Sequence, residues 1–142
     1  MKPPTFKKST VKKRDIPRPH NGGEWTKARM QSFIKSALRG ARWPQKYVCI
    51  EKAVVGYGIN PKTNRRCKMH RCAECGGEEF PAKQMQADHI IPVIGEEGFK
   101  DWNTFIERLY CEADGFRAIC RDCHAVKTKQ ENAARKARAN SE

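Results

Sequence analysis

The chain has 142 residues, enough for about one domain, and a formal charge of +13. No run of about 18 uncharged apolar residues is present, which excludes a helical membrane span, and the opening MKPPTFKKSTVKKRD lacks the apolar core of a secretory signal. Leu, Ile, Val and Phe make up only 23 of the 142 residues, a composition that with this charge predicts disorder unless something besides apolar burial holds the chain together.

The charge is not evenly spread. Residues 1–70 carry eighteen Lys or Arg against three Asp or Glu, whereas residues 71–142 carry eleven against thirteen. A basic half joined to a mildly acidic one predicts a polyanion-binding segment attached to something else. Nucleic acid is the expected polyanion, because Lys and Arg neutralise phosphates and release counterions.

Residues 1–23, with four prolines, seven Lys or Arg and Gly22-Gly23, read as a disordered basic arm. Met30, Phe33, Ile34, Ala37 and Leu38 recur at helical spacing, predicting a helix from about Glu24 to Gly40 with that stripe buried. Pro44 suits the first turn of a second helix through Val48, Ile50, Ala53 and Val54. Residues 56–66 read as a turn-rich basic loop. On this reading residues 24–70 form a helical, basic, DNA-binding region and residues 71–142 a second module. Two short strands are expected around Phe80 to Ile91. Asp101 can cap a helix that places Trp102, Phe105, Ile106 and Leu109 on one face. Phe116 to Ile119 read as extended, and the Ala-rich run from Asp122 as a final helix that frays after about Arg135.

Cys72-x2-Cys75 and Cys120-x2-Cys123 are two C-x2-C pairs. A two-residue gap turns both thiolates toward one ion, and two such pairs complete tetrahedral Zn²⁺ coordination. Gly76-Gly77 permits the tight turn after the first pair. Disulfides are the competing reading, and a chain with no mark of export disfavours them; the expected compartment is the cytoplasm. Cys49, Cys67 and Cys111 are left over as buried or incidental residues. Zinc binding can itself supply folding free energy, which answers the disorder alarm.

Forty-four residues separate the pairs, too many for a simple zinc finger, so the insert carries another task. Asp88-His89 ends the second short strand and His124 follows Cys123 directly. A structural zinc brings these regions together. A carboxylate and an imidazole can hold a divalent cation with open water positions. A further imidazole, not bound to that ion, can take a proton from an attacking water near neutral pH.

At these residues the chain resembles the HNH endonucleases, in particular their zinc-containing phage members. The matching text is Cys72-x2-Cys75, Phe80-Pro-Ala-Lys, Ala87-Asp88-His89-Ile90-Ile91-Pro92-Val93, Trp102-x2-Phe105-Ile106-x-Arg108 and Cys120-x2-Cys123-His124-x2-Lys127-Thr128, covering about residues 71–130. The resemblance implies an α+β fold: a small ββα-metal, treble-clef-like module with one structural zinc on the four cysteines. It implies that His89 is the general base and that Asp88 and His124 hold one catalytic Mg²⁺ or similar ion. It further implies one-metal hydrolysis of double-stranded DNA, leaving 5′-phosphate and 3′-hydroxyl ends. The family's middle Asn falls at Gly115 here. Asp114 is adjacent, and Asn103 is read as facing solvent on its helix, so a backbone carbonyl is the available substitute for orienting the imidazole.

Arg39, Arg42, Lys46, Lys62, Arg65, Arg66 and Lys127 are the candidate contacts to the DNA backbone, which position a duplex without reading its sequence. No membrane partner is expected; phage packaging or replication proteins are admitted as further partners, and the oligomeric state stays open. A noncatalytic zinc-containing nucleic-acid-binding accessory protein is the rival reading, and an RNA-directed nuclease a third.

Overall fold

The computed structural model describes residues 15–141. The expected disordered arm therefore falls largely outside the described residues. Contacts divide the chain into two compact units between Gly40 and Ala41.

In the first unit, His20 and Trp25 form a β-bridge closed by the turn at Asn21 to Glu24. Thr26 Oγ1 accepts from the Arg29 amide at 3.2 Å, and helix α1 (Lys27–Gly40) follows. Its apolar stripe is less covered than its spacing predicts. No residue of α1 is buried, and Phe33 is 54% exposed. Phe33 packs on Trp25 at 5.1 Å between ring centroids, and the Arg29 guanidinium lies over the Trp25 ring, 5.0 Å from its centroid.

The second unit is α+β. Helix α2 (Pro44–Lys52) opens with Pro44 in its first turn, as its fixed φ favours, and ends at Lys52 rather than continuing through Val54. Strands β1 (Val54–Ile59) and β2 (Arg66–Arg71) form an antiparallel hairpin, with β3 (Glu79–Pro81) on the outer side of β2. Two expectations are corrected here: the helical stretch over residues 24–70 gives way to strand at Val54, and the loop at 56–66 is mostly hairpin. The turn itself uses Asn60, whose side chain accepts from the Lys62 amide at 2.9 Å, and Asn64 at φ 54°, the residue type that tolerates this region best after Gly.

β4 (Met85–His89) does not pair with β3. A 3-10 turn at Ala82–Gln84 redirects the chain, and β4 instead pairs antiparallel with β5 (Phe116–Cys120) as a second, two-stranded sheet. Between these strands lies α3 (Trp102–Leu109), capped by Asp101 as expected. Helix α4 (Arg121–Ser141) continues beyond Arg135 to Ser141, consistent with its run of strong helix formers. Among the described residues no helix is long and apolar enough to cross a membrane.

The core is small and rich in sulfur. Cys49, Cys72, Met85, Phe116, Ala118, Ile119 and Cys120 form its buried cluster, with Trp43, Ile50, Ala53 and Phe80 packed against it. β4, β5 and α2 thus meet at the cysteines, and α2 belongs with them. His70, also fully buried, bonds the Phe80 carbonyl through Nδ1 at 3.0 Å and fastens β3 to β2.

Candidate metal centre and the Asp88–His89 site

Cys72 and Cys75 lie on the turn after β2; Cys120 ends β5 and Cys123 lies in the first turn of α4. Gly76 takes φ +60° and its amide bonds the Cys72 carbonyl at 3.0 Å. This left-handed position is open to Gly at little cost. The Ala73 amide then bonds Ala118 O at 2.9 Å, which seats the turn against β5. The four sulfurs all lie within 4.8 Å of one another. A tetrahedral ion with Zn–S bonds of about 2.3 Å needs sulfurs about 3.8 Å apart, so the set fits.

The electrostatics agree. Burial opposes ionisation of Cys72, but the amides of Cys120, Cys75 and Glu74 donate to its Sγ and bring its pKa down to about 6. The Cys120 amide is the shortest of these, at 3.2 Å. Cys123 is pushed up to about 12, first by its contact with Cys120 and then by burial. One thiolate thus forms readily and the next are opposed, a cluster that a cation completes. These four cysteines could hold a metal ion such as zinc. The remaining cysteines are structural: burial pushes the Cys49 and Cys111 thiols up, and Cys67 is half-buried on the hairpin.

Asp88 and His89 end β4, directly opposite Arg117 and Phe116 of β5. Asp88 is buried. Its two oxygens face different partners. Oδ1 lies 3.9 Å from His124 Nε2; Oδ2 meets the Lys127 ammonium and, at 3.7 Å, Arg117 Nε. Lys127 Nζ also donates to the His89 carbonyl at 3.0 Å. His89 Nε2 lies 3.0 Å from Leu109 O. A carbonyl only accepts, so this bond puts the proton on Nε2 and the lone pair on Nδ1. Leu109 is the last residue of α3, and its carbonyl is one that the helix itself leaves unpaired. The His89 ring also rests on Phe116 at 4.6 Å.

Asp88, His89, His124 and Lys127 are therefore neighbours, although Lys127 turns inward onto Asp88 instead of outward. Arg117, which the sequence reading does not single out, also pairs with Glu74 at 2.8 Å. Nothing in its spacing marks it; only the β4–β5 register sets it opposite Asp88. The other expected cations are dispersed. Arg42 donates to Tyr47 Oη at 2.9 Å, Lys46 lies 6.0 Å from the Phe116 ring, and Arg66 covers Tyr57 at 4.9 Å. Lys62 and Arg65 are exposed at the hairpin turn, and Arg39 belongs to the first unit. Asn103 is exposed on α3, and at Gly115 an added Cβ would lie 2.7 Å from Cys111 Sγ. Comparison with protein-family models, with curated proteins and with solved structures finds no match.

Proposed function

We propose that this chain is a metal-dependent endonuclease of duplex DNA, of the HNH type that its motifs resemble. On this reading β4, β5 and the first turns of α4 are the ββα-metal element, and the four cysteines hold a structural zinc beside it. The observation that carries the reading is the division of labour at the end of β4. His89 is tied through Nε2 to Leu109 O, while the adjacent Asp88 turns Oδ1 toward His124 Nε2 at 3.9 Å. Two donors of one octahedral ion with bonds of about 2.1 Å lie between about 3.0 and 4.2 Å apart, so Asp88 and His124 suit that role without disturbing Oδ2. A divalent cation held there supplies positive charge to the phosphate oxygens and the leaving 3′ oxygen.

The chain's own groups do the rest. His89 Nδ1 takes a proton from the water that attacks phosphorus, the P–O3′ bond breaks to leave a 5′-phosphate, and a solvent water protonates the departing O3′ to give the 3′-hydroxyl. The Leu109 carbonyl keeps the ring oriented in both protonation states, the task that an Asn side chain performs in the resembling family. Lys127 and Arg117 fix the Asp88 carboxylate from its other oxygen. Supercoiled plasmid incubated with Mg²⁺, Mn²⁺ or Ni²⁺ is expected to be nicked or linearised by the wild type. The His89→Ala variant should act about 10²–10⁴-fold more slowly; equal rates overturn the assignment. A noncatalytic zinc-containing nucleic-acid-binding protein is the second reading, favoured by the two cations already on Asp88 Oδ2. A folded protein that binds DNA but cleaves it with none of the three ions would establish that reading.

A further inference from the structure

The second unit carries another concave site away from Asp88. An open cleft of about 380 Å³ lies where the hairpin turn, the 3-10 turn at Ala82–Gln84 and the start of α4 approach one another. Three cations line it, one from each element: Lys62, Lys83 and Arg121. Asn60 and Gln84 add polar side chains, and Asp122 is the single carboxylate. Among the described residues, none of the three cations is in an ion pair. Four other cations of this unit are committed to carboxylates instead. Lys68 is paired with Glu51, Lys100 with Glu97, Arg117 with Glu74 and Asp88, and Lys127 with Asp88. Unpaired cations gathered from three separate elements around one concavity are positioned to neutralise an anion from outside.

We infer that this cleft is a phosphate-backbone site, holding the duplex on one side of the reacting position. It rests on the proposed nuclease function only for the choice of duplex DNA as ligand. The spacing supports that ligand. Gln84 precedes β4 and Asp88 lies four residues later along it. At a rise of about 3.3 Å per residue Gln84, at the edge of the cleft, is about 13 Å along the chain from Asp88. Along a duplex axis that is about four base-pair steps at 3.4 Å each. The cleft and the Asp88 site thus fit two stretches of one backbone, one held and one cut. Only Lys62 of the three stands out from sequence, because Lys83 and Arg121 sit in the mildly acidic half.

The test is fluorescence anisotropy of a labelled DNA duplex across a series of NaCl concentrations, with the full zinc-loaded chain and no added divalent ion. Each lost phosphate contact lowers the slope of log K against log salt by about 0.9. The triple variant Lys62→Ala, Lys83→Ala, Arg121→Ala is expected to lose about 2–3 from that slope and to bind at least tenfold more weakly. Neutralising three cations elsewhere (Lys129→Ala, Lys136→Ala, Arg138→Ala) removes the same charge and should change the slope by less than 1. The charge-keeping triple Lys62→Arg, Lys83→Arg, Arg121→Lys should restore binding, which separates lost contact from lost fold. Equal slopes for both alanine triples, or an unchanged slope in the cleft triple, overturn the inference. The nuclease reading fails separately. If His89→Ala cleaves like the wild type while the cleft triple still lowers the slope, the cleft stands and the catalytic assignment does not.

Discussion

Asp88 keeps its two oxygens apart in function, Oδ1 toward His124 and Oδ2 on Lys127 and Arg117. A carboxylate so far from water needs these partners, since an uncompensated buried charge is costly. Lys127→Met is therefore expected to destabilise the fold by about 2–3 kcal/mol, between a charged hydrogen bond and a fully buried pair. Adding Asp88→Asn should recover most of it in urea denaturation, and additive losses would show that the pair does not interact. Gly115 is constrained by sterics instead. Cys111 Sγ would lie 2.7 Å from any Cβ there, so Gly115→Asn should cost about 1–3 kcal/mol by overpacking. Cys111→Ala in the same chain should relieve it; no relief would place the strain elsewhere. The residue types at Asp88, His89 and His124 were legible in sequence, and so was the option of a carbonyl in place of the Asn. That the imidazole bonds the Leu109 carbonyl was not legible, because a helix end offers the same group whatever its side chain.

At the scale of elements, α3 ties a legible signal to a hidden one. Asp101 Oδ1 accepts from the Thr104 amide at 2.7 Å and Oδ2 from Thr104 Oγ1 at 2.9 Å. These bonds, the backbone amide first, hold its carboxyl below the usual range. Its ionised form stabilises the fold above the ordinary carboxylate pKa, and that contribution disappears as pH falls through the lower folded value. The stability gap between wild type and Asp101→Ala should be full at neutral pH and close below about pH 4. Urea midpoints at several pH values measure it, and a gap independent of pH would assign the loss to packing. The other end of α3 carries Leu109, so this cap also steadies the carbonyl that holds His89. The β1–β2 hairpin was not legible, for a physical reason. Its inward positions are Val54, Gly56 and Gly58, while Val55, Tyr57 and Ile59 face outward. Gly58 is bare because Met69 fills its space, 2.9 Å from where a Cβ would stand. A strand whose large residues point to solvent and whose core face is glycine gives an alternation that reads as loop.

The whole molecule depends on sulfur where other small folds depend on aliphatic side chains. Cys72 and Cys120 belong to the buried cluster itself, so without a bound cation thiols of opposed ionisation would stand at the centre of the second unit. A strong chelator at neutral pH should collapse its circular dichroism signal, on the scale of about 10 kcal/mol that structural zinc supplies in small domains. An unchanged spectrum with the metal demonstrably gone would show that apolar packing suffices. The spacing of the paired cysteines made their clustering legible. The domain boundary was less so. Charge changes character near residue 70, but the compact units divide at Gly40. Charge marks which surfaces meet a polyanion, whereas packing decides which segments fold together. The basic hairpin packs with the cysteines whatever its sign.

Arg117 joins two places that the sequence keeps far apart. One nitrogen bonds Glu74, between the first two cysteines, and another faces Asp88. A metal on the cysteines would hold the turn that carries Glu74, and Arg117 would pass that restraint on to Asp88. Coupling of this kind is reciprocal in free energy: were both sites to hold ions, whatever factor the one exerted on the affinity of the other would be returned in full. On the proposed reading the two sites form one thermodynamic unit, and the collapse expected on chelation removes both at once.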